Sequence, residues 1–178
     1  LISTPLIIFF AFLIKIEDNG KIFYSQIRTG LYGKSFKMYK LRSMSPNSEV
    51  NGPVWAIKKD PRITKVGYII RKSRIDELPQ LWSVVLGDMS LIGPRPERPE
   101  IDKLLIKKIP FYNYRNTIKP GISGWAQVNY RYGASIEDSD LKFSYEIFYL
   151  KNYSLLFDIL IFMKTLKLVI NMEGSSPK

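Results

Sequence analysis

The 178-residue chain is 46% hydrophobic and 24% charged, with no cysteine and no histidine. Its length and apolar share suit one folded domain with its own core and exclude a disordered or disulfide-stapled chain. The missing Cys and His also exclude thiolate metal sites, Cys nucleophiles, Ser-His catalysis and most zinc chemistry, leaving carboxylates, Lys/Arg, hydroxyls or a hard metal held by oxygen. The 27 Lys and Arg against 16 Asp and Glu give +11, which predicts an anionic partner: nucleic acid, a phosphorylated substrate or an acidic membrane face.

The first 14 residues, LISTPLIIFFAFLI, carry no charge, and Leu6–Ile14 is an unbroken apolar run. As a helix they reach roughly 21 Å, short of the ~30 Å hydrocarbon core of a bilayer. No basic segment precedes the run and no small-residue cleavage site follows it, so it does not read as a signal peptide. The start on Leu1, in mid-pattern, leads us to expect further chain upstream. Pro5 removes a helical donor, and the hydroxyls of Ser3 and Thr4 can bond freed backbone groups in lipid. Three readings stand: a helix that enters one leaflet, bends at Thr4–Pro5 and returns; a spanning helix cut short; or a buried helix of a soluble core.

Asp18-Asn19-Gly20 signals a turn, after which KIFYSQIR reads as a strand, Gly30 and Gly33 bracket a loop, and SFKMYKLRSM reads as a second strand. Together they predict an antiparallel hairpin carrying Lys37, Lys40 and Arg42. Ser45–Pro53 is loop. Asp60-Pro61 fits an N-cap with Pro at the first helical position, and Ile63, Val66, Ile69 and Ile70 continue as an apolar stripe. Between Lys58 and Arg74 seven basic residues face only Asp60, which suits an anionic surface or phosphate groups, or else a solvated face.

Asp76 predicts another N-cap, with Pro79 in the first turn, Leu78, Leu81, Trp82 and Val85 at helical spacing, and Gly87 closing the helix. Prolines 94, 96 and 99 exclude a continuous helix over Ser90–Pro99. A short helix over Glu100–Lys108 and a constrained KPGISG loop at 119–124 come next. Ser135 with Asp138 forms a capping box for a helix to about Leu150, and Ser154 caps the last helix. In that helix Asp158 projects among Leu155, Ile161 and Phe162, as a core salt-bridge partner or as a functional group.

The best candidate for chemistry is Asp76-Glu77. Carboxylates at a helix N-terminus meet backbone donors and the positive end of the dipole, and two of them can serve a hard cation such as Mg²⁺. The plain alternative is a capping Asp followed by a dipole-friendly Glu. Its surroundings favour the first reading: Arg71 and Arg74 precede the pair, and Arg95 follows between two prolines that restrict its backbone. Fixed arginines beside paired carboxylates suit a substrate with several phosphate oxygens and a metal.

The stretches FKMYKLRSM, DPRITKVGYIIRKSRIDELPQLWSVVLGDMSLIGPRPERPE and KPGISGWAQVNYRYGASIEDSDLKFSYEIFYLKNYSLLFDILIF resemble the bacterial sugar transferase family. These are the monotopic polyprenyl-phosphate phosphoglycosyl transferases. The resemblance runs from Leu1 to about Ile170, its most specific part is DELPQLW followed by GDMSLIGPRPE, and YRYGASIED is closest to exopolysaccharide-type members.

The resemblance implies transfer of sugar-1-phosphate from a UDP-sugar to polyprenyl (undecaprenyl) phosphate with release of UMP, at the cytoplasmic face of the bacterial inner membrane. It implies Asp76 as nucleophile, Glu77 with Asp76 as holders of Mg²⁺, and Lys40, Arg71, Arg95, Arg131 and Asp158 as further polar residues of the site. Thr4-Pro5 stands where the family commonly has Ser-Pro in its re-entrant helix. The partners implied are the UDP-sugar, the polyprenyl phosphate and membrane lipids, and no nucleic acid. The expected fold is α+β: one mainly helical domain with a small antiparallel hairpin, residues 1–14 forming part of a re-entrant membrane helix and 15–178 the catalytic domain. The competing readings are a one-step transferase in which Asp76 and Glu77 only bind metal, a basic nucleic-acid-binding protein, and a non-catalytic membrane adaptor.

Overall fold

In the computed structural model, which describes residues 3–46, 48, 57, 60–130 and 135–172, the chain opens with helix α1 (Ser3–Asp18). Pro5 lies in the first described turn of this helix. The helix runs beyond the apolar segment, and its last turns are docked. Ile14 is buried against Leu41 and Ile70, with Phe10, Ile22, Val66 and Ile75 packed around them. Each such aliphatic side chain contributes roughly 1.5–3 kcal/mol by leaving water. Glu17 also accepts hydrogen bonds from the first amides of the next helix, Lys65 at 2.7 Å and Val66 at 3.2 Å, and Asp18 is paired with the buried Arg42.

The expected hairpin is present. Strands β1 (Phe23–Thr29) and β2 (Ser35–Leu41) pair antiparallel, Phe23 opposite Leu41 through to Thr29 opposite Ser35. The two-residue period of a strand turns Tyr24, Gln26 and Arg28, with their partners Lys40, Met38 and Phe36, to the less exposed face. Lys40 thereby points inward.

Helix α2 (Lys65–Lys72) starts four residues later than Asp60-Pro61 suggested. Thr64 is its N-cap, accepting from Gly67 N at 2.9 Å. Asp60 is taken up by Arg62, whose Nε and Nη2 reach its two carboxylate oxygens at 2.8 and 2.6 Å. Those bonds hold the Asp60 carboxyl at about 2 and close a turn where a helix was expected.

The DELPQLW stretch also departs from expectation. It forms a 3-10 turn, Ile75–Gln80, followed by the short helix α3 (Leu81–Val85). The residue before the turn, Arg74, has left-handed backbone angles (φ 57°, ψ 17°) and makes no side-chain cap. Asp76 is therefore not an exposed N-cap: it sits within the turn, buried where the turn packs on β2.

Strand β3 (Ser90–Ile92) pairs parallel with β4 (Gly121–Ser123), so KPGISG is partly strand and not wholly loop. The two backbones meet where neither has a side chain. A Cβ on Gly121 would lie 2.1 Å from Gly93 N, and one on Gly93 would lie 2.5 Å from the Lys119 carbonyl oxygen. Helix α4 (Pro99–Lys108) packs Leu105 with Ile109, Tyr112 and Phe143. After α5 (Trp125–Asn129) come α6 (Ile136–Lys151), opened by the expected Ser135–Asp138 capping box, and α7 (Leu155–Ile170), capped by Ser154. Ile92, Tyr149 and Ile161 join β3, α6 and α7 in a third buried cluster. The architecture is thus α+β and mainly helical. No described helix is long and apolar enough to cross a membrane, yet α1 and α7 leave much apolar surface outside, with Phe12 62% and Leu156 80% exposed.

Candidate active site

Three separate elements converge on Glu77. Lys40 arrives from β2 and places Nζ 2.7 Å from Glu77 Oε1. Arg95, in the connection between β3 and α4, donates from Nη2 to the same oxygen at 2.8 Å. Arg74, turned back by its left-handed backbone, lies 3.7 Å from Oε2. Asp76 and Glu77 are each 6% exposed. Arg71, in the last turn of α2, is near enough for its charge to favour ionisation of Asp76.

The two carboxylates have opposite electrostatic fates. Burial opposes ionisation of Glu77, but the positive charges of Arg95, Lys40 and Arg74 outweigh it and hold this carboxyl well below the ordinary glutamate range. Asp76 has the burial without the direct bonds: its Oδ1 is enclosed with no hydrogen-bond partner. Burial first, and the neighbouring Glu77 charge second, push its carboxyl up to about 6. The backbone donors expected from a helix start do not reach Oδ1. Lys40 is pulled down by burial, with Glu77 acting against that fall, and Arg95 is raised above its ordinary value chiefly by the charge of Glu77.

The arrangement can therefore keep one carboxylate locked among cations while its neighbour retains an unbonded, weakly basic oxygen. Such an oxygen has no internal hydrogen bond to give up before meeting a metal or an electrophilic phosphorus, and the arginines around it can meet phosphate oxygens.

Lys40, Arg71, Asp76, Glu77 and Arg95, singled out from the sequence, are brought together. For Asp158 the described bond is from the Tyr149 hydroxyl, 2.7 Å from Oδ1, between α6 and α7. Among the described residues it has no salt-bridge partner. Burial, reinforced by that bond, raises the Tyr149 hydroxyl above its usual range. Arg131 lies outside the described residues.

Arg28 was missed. It shares the inward face of the hairpin with Lys40, is loosely paired with Glu97 at 3.9 Å, and keeps a buried Nε without a partner. Burial lowers its guanidinium to about 10. The signal was available in the alternation Tyr24, Gln26, Arg28, which shares a phase with Lys40 once the hairpin register is set.

Residues 1–172 match the family described as bacterial sugar transferase. The UDP-N-acetylgalactosamine-undecaprenyl-phosphate N-acetylgalactosaminephosphotransferase of Aeromonas hydrophila is 46% identical over 172 residues, 97% of this chain and 41% of its own length. The uncharacterized sugar transferase EpsL of Bacillus subtilis (strain 168) is 38% identical over 97% of this chain and 81% of its own length. The UDP-glucose:undecaprenyl-phosphate glucose-1-phosphate transferase of Escherichia coli (strain K12) is 34% identical over 96% of this chain and 38% of its own. This chain thus spans less than half of the Aeromonas and Escherichia relatives, and most of EpsL. A profile matched over nearly every residue, and a relative covered over four fifths of its length, place the chain in the bacterial sugar transferase family.

Proposed function

We propose that this protein transfers sugar-1-phosphate from a UDP-sugar to undecaprenyl phosphate through an acyl phosphate on Asp76. Relatives named as undecaprenyl-phosphate sugar phosphotransferases support the reaction class. The observation that carries the mechanism is the unequal carboxylate pair, Asp76 with an unbonded oxygen beside a Glu77 held by Lys40 and Arg95.

In the first step an Asp76 oxygen attacks the sugar-bearing phosphorus of the diphosphate. The bond from that phosphorus to the bridging oxygen breaks, and UMP leaves with the electron pair. In the second step an oxygen of undecaprenyl phosphate attacks the same phosphorus and the Asp76 carboxylate is released. One phosphoanhydride replaces another. The second pKa of a phosphate monoester lies near 6, so the acceptor is already ionised and needs no histidine as base. Lys40, Arg71, Arg74 and Arg95 offset the charge of the diphosphate as it rearranges.

The residues fit a magnesium ion. Asp76 Oδ1 is an unbonded hard donor and Glu77 Oε2 has only Arg74 at 3.7 Å among its described partners. No group of three or more acidic side chains forms a metal cage among the described residues, so the remaining positions would go to phosphate oxygens and water. A magnesium ion held there would neutralise diphosphate charge and orient the phosphoryl oxygens.

Donor alone should suffice for the first half. With UDP-sugar and Mg²⁺ but no lipid, the protein should release up to one UMP per site and add a sugar-phosphate mass to the peptide holding Asp76. Adding polyprenyl phosphate should discharge the adduct, and the steady state should be ping-pong. A one-step enzyme would release no UMP without acceptor and give intersecting kinetic patterns.

For the membrane, the reading is a monotopic one at the cytoplasmic face of the inner membrane. It is supported by the +11 charge and by the exposed apolar residues of α1 and α7. A break at Thr4–Pro5 would return the chain to the leaflet it entered. In the full-length protein a cysteine at the N-terminus should then be labelled only from the cytoplasmic side, and replacing Thr4 and Pro5 by Ala should favour spanning. Labelling of the unsubstituted protein from the periplasm would refute the re-entrant helix.

A further inference from the structure

The segment Gly93–Glu97 is poor in main-chain donors, because Pro94 and Pro96 have no N–H. Its carbonyls are nonetheless bonded one after another. Pro94 O accepts from Gly121 N at 2.8 Å, and Glu97 O accepts from Thr29 N at 2.9 Å. Between them, Arg95 O accepts from Arg115 Nη2 at 2.6 Å and Pro96 O from Arg28 Nη1 at 3.0 Å. The outer bonds come from backbone of the two sheets, and the inner pair from arginine side chains remote in sequence.

Arg115 is itself held fast. It is 3% exposed, and its Nε and Nη2 meet Glu146 Oε2 and Oε1 at 2.7 Å each. Asp102 lies 4.0 Å from Nη1, and the Tyr112 ring centroid is 4.9 Å from the guanidinium carbon. A buried ion pair of this kind is a poor device for stability alone, since apolar residues of similar volume often do as well. A guanidinium, however, can meet a carboxylate and a carbonyl at once from one rigid plane, which an ammonium cannot.

We propose that Arg115, locked by Glu146, and Arg28 are positioning residues that aim Arg95: by holding the carbonyls of residues 95 and 96 they set its guanidinium on Glu77, where it meets the transferring phosphoryl group. The inference rests on the reading of Arg95 as a phosphate-binding residue.

The test is a set of double-mutant cycles on the protein in detergent. Arg95→Ala is measured in the wild type, in Arg115→Lys and in Arg28→Lys, by UMP release from UDP-sugar and by calorimetric affinity for UDP. In the wild type Arg95→Ala should cost about 100-fold in turnover. In either lysine background it should cost less than about 10-fold, because the aim of Arg95 has already been lost. A merely structural role would leave the factor for Arg95→Ala the same in all three backgrounds, and that result would overturn the proposal. Should Arg115→Lys fail to fold, Arg28→Lys, at a hairpin position 15% exposed, carries the same comparison. A wild type that turned over no UDP-sugar would sink the transferase reading. The cycle would then be read in UDP affinity, coupling supporting the aiming role and simple additivity refuting it.

Discussion

Asp76→Asn should abolish UMP release and leave the protein at pH 7 at least as stable as before. The amide has nearly the shape of the carboxylate, so packing between β2 and the 3-10 turn is kept, while the oxygen proposed as nucleophile is lost. Stability should move the other way from activity. Burial raises the Asp76 carboxyl from 3.8 to about 6, which corresponds to on the order of 2–3 kcal/mol against the folded state once the group is ionised. The sign follows from the direction of the shift. The unfolded chain gives up this proton near pH 4 and the folded one near 6, so the penalty is absent below pH 4, grows through that window and is complete above it. Melting profiles of wild type and Asp76→Asn should therefore coincide at low pH and separate between about 4 and 6, the variant being the more stable. The donor-only half-reaction should fall away below about pH 6 as Asp76 takes up its proton. Near-normal turnover in the variant, with unchanged melting, would remove Asp76 as the nucleophile.

Where the sequence was legible, the signals were local. The hairpin followed from strand alternation around a glycine-bracketed loop, and Ser135 and Ser154 announced their helices because a cap needs only its own first turn. The same rule failed at Asp76. An Asp before an apolar run looks like a cap whether or not the turn is pressed against a strand, and here burial and a left-handed Arg74 decide the geometry. Asp60 failed for another reason: a neighbouring arginine competed for the carboxylate that would have capped. Strands β3 and β4 are three residues each and exist through pairing across some 30 residues, which no local period registers. Of the site, Asp76, Glu77 and Arg95 stood out from their own neighbourhoods. The side-by-side placement of Lys40, and the bonds that tie Arg115 to Glu146 and to the backbone of Arg95, arise only when distant segments meet.

Glu77→Ala should produce the largest loss of stability of any single change at the site. Glu77 Oε1 is the acceptor shared by Lys40 and Arg95, and its removal leaves Lys40, whose side chain is 16% exposed, enclosed and without its hydrogen-bonded counter-charge. Breaking a buried pair in this way costs about 3–5 kcal/mol. The Arg95 side chain is 36% exposed, so water screens its share, and most of the effect belongs to Lys40. For a chain of this size the melting temperature should fall by about 6–20 °C. Glu77→Gln keeps one acceptor and the shape, and should lose less stability while still raising the Mg²⁺ needed for turnover, because an amide is the weaker ligand for a hard cation. Lys40→Met made together with Glu77→Ala should recover part of the lost stability, since the stranded charge goes with it. The pH dependence has the opposite sign to that of Asp76. The Glu77 carboxyl is held well below 4.5 in the folded state, so its contribution is present above that value and fades as the pH falls through the acid range. The wild type and Glu77→Ala should therefore differ most near neutrality and converge in acid. Melting of Glu77→Ala within about 2 °C of wild type at pH 7 would mean that the carboxylate does not hold Lys40 and Arg95, and the electrostatic basis for the unequal pair would fall with it.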